Sequence, residues 1–223
     1  MSFPREIGGV PLRKVPWYLR YIKGAMLASN LRKLAITLTH QHCTVEFRGP
    51  VRLGPGFSLM IPDRGRLIVG SGVDFRRGFY CEIGGDGSVE IGDGTTFTGD
   101  AMVQCSTSIS IGRRCGFGQA TFIVDGNHNF RDWQRHWLEQ GDSFRDIVIG
   151  DGVAVNTKST IINSIGERAV IGANSVVSKP IPPYCLAVGA PAKVIEYFGP
   201  PELRPSEIDG GVAGQGENGR GGS

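Results

Sequence analysis

The sequence predicts an all-β fold, a triangular parallel β-solenoid, on three observations. An aliphatic residue followed by glycine recurs at Leu53-Gly54, Val69-Gly70, Ile91-Gly92, Ile111-Gly112, Ile149-Gly150, Ile165-Gly166 and Ile171-Gly172. Several of these open six-residue runs of aliphatic, small, any, any, small, as in IGDGTT, IGRRCG with FGQATF following it, IGERAV and IGANSV. The steps from Val69 to Ile91 and from Ile91 to Ile111 are 22 and 20 residues, as three hexapeptides per coil plus small bulges require. In such a coil the aliphatic side chains stack inside, while glycine and polar residues take the tight corners. Gly-rich hairpins of a β-sandwich are the competing explanation. They would show period-two alternation and turn dipeptides rather than a phase-locked step of six.

Residues 1–48 precede the repeat and are basic. Within 11–39, Trp17, Leu19, Ile22, Met26, Leu27, Leu31, Leu34 and Leu38 fall at roughly helical spacing among Arg and Lys, with Gly24 and Asn30 weakening continuity. One or two amphipathic helices follow, expected to cap the open end of the solenoid, since a solenoid needs its edge covered. The alternative is an interfacial helix near anionic lipid. The solenoid is expected over 49–197. Ile111 and Ile149 are 38 residues apart, about one coil too many, and the surplus after IVDGNH predicts a loop over 129–146 extruded from the rigid scaffold. From Ile161 to Ile165 the step is four, so that corner is expected to be tightened. Residues 198–223 end in PSEIDGGVAGQGENGRGGS, which has almost no apolar bulk and reads as disordered.

Composition narrows the function classes. Thirty-four glycines in 223 residues without a period of three exclude collagen. A net charge of +3 gives no electrostatic case for nucleic acid as a partner. The charge is uneven: residues 1–52 hold nine basic residues against Glu6 and Glu46. Five cysteines, an odd number without C-x-x-C spacing, suit a reducing cytoplasm better than a disulfide framework. Neither a signal peptide nor a membrane-spanning run is expected.

Among the candidate catalytic groups, His128 stands out because it alone of the four histidines sits in a repeat row, immediately before the predicted loop. Imidazole titrates near neutrality and can take a proton from an attacking hydroxyl. Asp125, three residues earlier in VDGNH, is a candidate to orient the ring, although Asp before Gly is also common turn chemistry. Asp100 and Gln104 in FTGDAMVQCSTS and the loop pair Trp133 and Trp137 are candidates for ligand contacts, the first two as polar groups on a strand and the pair as stacking rings. An aromatic pair at this spacing is more often a hydrophobic anchor holding a loop down. Cys105 and Cys115 occupy rows that need small residues and are expected to fill the core. With one histidine in the rows, no metal site is expected.

The segment IGANSVVSKPIPPYCLAVGAPAKVIE, residues 171–196, together with VDGNH and the repeat itself, resembles the hexapeptide-repeat acyltransferases, particularly the galactoside, maltose, xenobiotic and surface-polysaccharide O-acetyltransferases. The resemblance covers about residues 50–197. It implies a left-handed parallel β-helix, a homotrimer with active sites shared between subunits, and acetyl-coenzyme A as donor. The implied acceptor is a hydroxyl of a sugar, polysaccharide or glycolipid, with His128 as the base. Thr157, Ala173, Ser178 and Lys179 match positions that contact the pantetheine arm or nucleotide, and Lys193 matches a basic residue near the phosphates. The rival readings are N-acylation of an amino sugar and a noncatalytic solenoid scaffold. The basic N-terminal segment points, in addition, to a peripheral contact at the inner face of a membrane.

Overall fold

The computed structural model describes residues 6–7, 10–19 and 23–206. Ile22, counted above in the helical pattern, and the tail from 207 onward lie outside the described residues.

Three parallel sheets form the walls of a triangular solenoid. One wall runs from Thr44–Phe47 through Arg66–Val69, Ser88–Ile91 and Ser108–Ile111 to Ile147–Ile149. Single bridges extend it from Ile149 to Ile165 and on to Ile181. A six-stranded wall runs from Ser58–Met60 through Tyr80–Ile83, Met102–Cys105, Phe122–Val124 and Thr160–Ile161 to Val176–Val177. The third wall starts at Arg52–Leu53 and ends at Cys185–Val188, on which the last strand, Lys193–Tyr197, folds back antiparallel.

The register shows what the doublets do. Val69, Ile91, Ile111 and Ile149 stack in one row of direct neighbours, whereas Leu53 and Ile171 belong to a different wall. The glycine after each aliphatic residue lets coils approach closely. A Cβ on Gly92 would sit 2.6 Å from the Gly112 carbonyl carbon. The strand pairing starts at Thr44, ahead of the boundary expected at 49, because Thr44–Phe47 already pairs with Arg66–Val69.

Inside, alternation along each strand sends one side chain in and the next out. Phe75, Phe79, Phe97 and Phe117 are all fully buried, and Phe75, Phe97 and Phe117 are direct register neighbours in one interior row. Phe97 lies nearly parallel to Phe117, ring centroids 4.6 Å apart, and to Phe75 at 5.3 Å. Parallel neighbouring strands bring equivalent side chains into register, so one aromatic per coil builds a continuous stack. At the short corner Asn163 fills the gap: its Nδ2 donates to the Ser178 carbonyl at 3.1 Å, and its Oδ1 accepts from the Ser164 amide at 2.9 Å. That polar plug allows Ile165 to return to the interior row only four residues after Ile161.

Among the described residues two α-helices precede the coils, α1 (Val15–Tyr18) and α2 (Gly24–Thr39). The cap is made by α2. Ser29 Oγ accepts from the Leu53 amide at 2.8 Å, Arg32 donates to the Leu53 carbonyl at 2.9 Å, and Ile36 packs on the core.

Candidate functional site

The extruded segment leaves the solenoid after Val124 and returns at Ile147. It begins and ends as an antiparallel ribbon, Gly126–His128 against Asp142–Phe144. Gly126 is needed there, because its Cβ would meet the ring of Phe144, its cross-strand neighbour, at 2.6 Å. His128 stands directly opposite Asp142, and facing residues of a ribbon project on the same side. Their side chains meet: His128 Nδ1 and Asp142 Oδ1 are 2.5 Å apart. A carboxylate only accepts, so Nδ1 is the donor of this pair, and in the neutral ring the lone pair is then on Nε2. Nε2 has no hydrogen-bond partner among the described residues.

Asp125 does a different job from the one expected. It is buried, in the inward position next to Cys105 of the preceding coil, and its carboxylate accepts from the Ser106 amide at 2.8 Å, the Thr107 amide at 2.7 Å and the Thr107 hydroxyl at 3.1 Å. Those bonds staple the scaffold at the point where the segment departs. The reason is alternation: Val124 faces out, so Asp125 faces in, away from the ribbon.

The loop beyond the ribbon is held by a polar side chain rather than by the tryptophans. Gln140 accepts from the Asp132 amide at 3.0 Å and donates to the carbonyls of Asp132 and Arg135 at 2.9 and 2.8 Å. Trp133 is 88% exposed and anchors nothing. Trp137 is the aromatic at the histidine, its ring centroid 4.8 Å from that of His128.

His128 and Asp142 line an open cavity of about 610 Å³ between the ribbon and the six-stranded wall. From the wall come Glu82, Gln104, Phe122 and Val124, and from later corners Ile162 and Ser178. Gln104 Nε2 donates to Glu82 at 3.1 Å, and the Tyr80 hydroxyl donates to the same carboxylate at 2.9 Å. Desolvation and that bond to Glu82 push the Tyr80 phenol up. Cys105 also borders the cavity, but burial and the Asp125 carboxylate push its thiol up to about 12, leaving no thiolate to act as nucleophile.

Of the residues picked out in the sequence, the cavity therefore gathers His128, Asp125, Gln104 and Ser178. Asp100 is elsewhere, at a corner where it meets Gln119 and Arg77. Thr157 and Ala173 occupy successive turns of that same corner, joined by the Asn174 amide donating to the Thr157 carbonyl at 3.0 Å. Lys179 is exposed on the turn after Val176–Val177, and Lys193 is exposed on the folded-back strand opposite Val188. Glu82, Asp142 and Arg145 line the cavity without having been picked out. Only the six-residue alternation, which places Glu82 one coil below Gln104, offered a signal for any of them. Among the described residues no three His, Cys, Asp or Glu side chains converge as a metal site.

Known proteins share this architecture. A hexapeptide-repeat acetyltransferase of Vibrio cholerae, solved with acetyl-coenzyme A, superposes with a TM-score of 0.55 over 81% of this chain and 90% of its own, at 22% identity. The chain is a hexapeptide-repeat left-handed β-helix protein. The polysialic acid O-acetyltransferase OatWY gives 0.54 over 76% of this chain and 90% of its own at 20% identity. A Bacillus cereus N-acyltransferase, a mutant solved with dTDP and coenzyme A, gives 0.59 over 76% and 89% at 16%. At these identities the likeness is one of fold. In sequence, this β-helix resembles a probable acetyltransferase of Mycobacterium tuberculosis, 30% identical over 198 residues, or 86% of this chain and 65% of that protein. The chain spans less than two thirds of the length of the curated relatives it matches. No family model matches it.

Proposed function

We propose that the protein transfers an acetyl group from acetyl-coenzyme A to a hydroxyl of a sugar, polysaccharide or glycolipid, with His128 as general base. The observation that carries this reading is the His128–Asp142 pair on the lip of an open cavity: a histidine held in one tautomer, with Nε2 bare. The acceptor oxygen attacks the thioester carbonyl while Nε2 takes its proton. The C–S bond then breaks, and the proton passes to the departing thiolate. Direct transfer needs no enzyme nucleophile, consistent with the protonated thiol of Cys105. Most of the acceleration then comes from holding two substrates in line. Glu82 and Gln104, already bonded to each other, offer an acceptor and a donor to sugar hydroxyls.

The donor would run from Ser178 along the corner of Thr157 and Ala173, with Lys179 and Lys193 as phosphate partners. Acetyltransferases dominate the sequence relatives, and one structural neighbour was solved with acetyl-coenzyme A. A homotrimer would close the cavity. The six-stranded wall beside it turns Met60, Met102, Phe122, Val124 and Val176 outward alongside Glu82 and Gln104, apolar groups that a second subunit would cover. Five free thiols favour a cytoplasmic setting.

The test is release of free coenzyme A from acetyl-coenzyme A over a panel of sugars, amino sugars and glycolipid analogues. Acceptor-dependent release should fall by about two to four orders of magnitude in His128→Ala. A variant as active as the parent would refute the base assignment. Turnover with amino sugars alone would move the reaction to N-acylation, the chemistry of the Bacillus cereus neighbour.

A further inference from the structure

A second cavity, of about 420 Å³, opens on the corner between the wall of Ser108–Ile111 and the third wall. The His128 segment belongs to a different corner, since it leaves the six-stranded wall after Phe122–Val124. The lining of this second cavity is Asp93, Arg113, Arg114, Asp151, Gly152 and Arg168, three guanidiniums against two carboxylates. These residues form the turns after Ile91, Ile111, Ile149 and Ile165, each one coil beyond the last, so the aliphatic-glycine doublets of the sequence build the corner.

The two acids are committed to the scaffold. Asp93 accepts from the Ser71 amide at 2.6 Å and Asp151 from the Arg113 amide at 2.7 Å, the same staple between successive coils. Asp151 also accepts from Nε and Nη2 of Arg113 at 3.0 and 2.6 Å, a fork that uses up its second oxygen. Arg114 and Arg168 are exposed and have no carboxylate within ion-pair distance among the described residues. Geometry nevertheless gathers the arginines. Arg113 reaches forward one coil to Asp151, and Arg168 lies back against Gly152, its Cγ 3.4 Å from where a Cβ on that glycine would stand. Both stems therefore converge on the Asp151-Gly152 turn, with Arg114 in the coil before it. Gly152 is left-handed, φ +69°, and carries no side chain to fill the space.

Guanidiniums gathered in this way repel one another unless an anion lies among them. A carboxylate is satisfied by one fork, as Asp151 shows. A phosphate group carries about two negative charges and three acceptor oxygens, and can take two forks at once. We propose that this corner is a phosphate-binding site, with Arg114 and Arg168 as the partners of the ligand and Arg113 held in place beside them by Asp151. The ligand is a phosphate group, free or carried on a sugar. The site is built from other turns than those around His128 and does not depend on the chemistry there.

The test uses the full chain and inorganic phosphate, read by calorimetric titration and by thermal melting, with chloride at matched ionic strength as the control. Phosphate is expected to bind and to raise the melting temperature, because a ligand held only by the folded state stabilises it, whereas chloride does neither. Arg114→Gln with Arg168→Gln should weaken phosphate binding at least about tenfold, while melting without phosphate stays at the parent value because both side chains are exposed. His128→Ala should bind phosphate as the parent does. Tighter binding of a sugar phosphate than of inorganic phosphate would make the sugar phosphate the source, and equal binding the free ion. Equal effects of phosphate and chloride, or undiminished binding by the arginine variant, would overturn the proposal. So would competition between phosphate and acetyl-coenzyme A that disappears in the arginine variant, which would give these side chains to the donor.

Discussion

The division of labour between two aspartates yields the sharpest prediction. Asp142→Asn keeps the shape of the side chain facing His128 but removes its charge. A hydrogen bond to a charged group contributes about 1.5–3 kcal/mol. Both partners are well exposed, 64% and 41% for the side chains, so water screens the pair and the lower half of that range applies. At about 1.4 kcal/mol per decade of rate, the variant should lose roughly 10- to 40-fold in kcat/KM. Its stability should not change, because the ribbon's backbone pairing remains. Asp125→Ala should do the reverse. It removes the acceptor for the amides of Ser106 and Thr107 and for the Thr107 hydroxyl. A lost partner at a buried group costs about 1–3 kcal/mol; with Ser106 and Thr107 themselves exposed, water recovers part, and about 2–3 kcal/mol in all is expected. Coenzyme A release, read with urea unfolding on the same samples, separates the two effects. If folded Asp125→Ala is inactive while Asp142→Asn turns over at the parental rate, the assignment of Asp142 as the positioning residue is wrong.

Two further outcomes follow from the interior. Phe97→Ala opens a gap in the aromatic stack between Phe75 and Phe117 and should cost about 3–5 kcal/mol, seen as a lower urea midpoint; a shift below 1 kcal/mol would mean the stack contributes little. Cys105, its thiol pushed up to about 12, is neutral at every pH below that range, so iodoacetamide should not inactivate the native protein between pH 7 and about pH 9. Rapid loss of activity, absent in Cys105→Ala, would contradict the burial argument.

The repeat made the architecture readable from the chain alone. One large aliphatic and one glycine every six residues permit few other structures, because the glycine is required by backbone packing against the next coil, as at Gly92, and the aliphatic residue by the interior row. The surplus between Ile111 and Ile149 likewise announced an extruded segment, and its edge marked His128. The hand of the helix came with the resemblance, since spacing is the same for either hand. What the chain could not show was which acid meets the histidine. Asp125 is close in sequence but faces inward by strand alternation. Asp142 is fourteen residues on, and becomes a neighbour only because the ribbon pairs His128 with it. The same holds for the helix: periodicity announced an amphipathic segment, and the ordinary rule would have buried its leucines. Their exposure was decided by the solenoid's end, where the amide and carbonyl of Leu53 offer hydrogen bonds that Ser29 and Arg32 satisfy. Local pattern fixes what each residue prefers. Which face is used, and which distant partner is met, is settled only when the backbone groups of the assembled coils are in place.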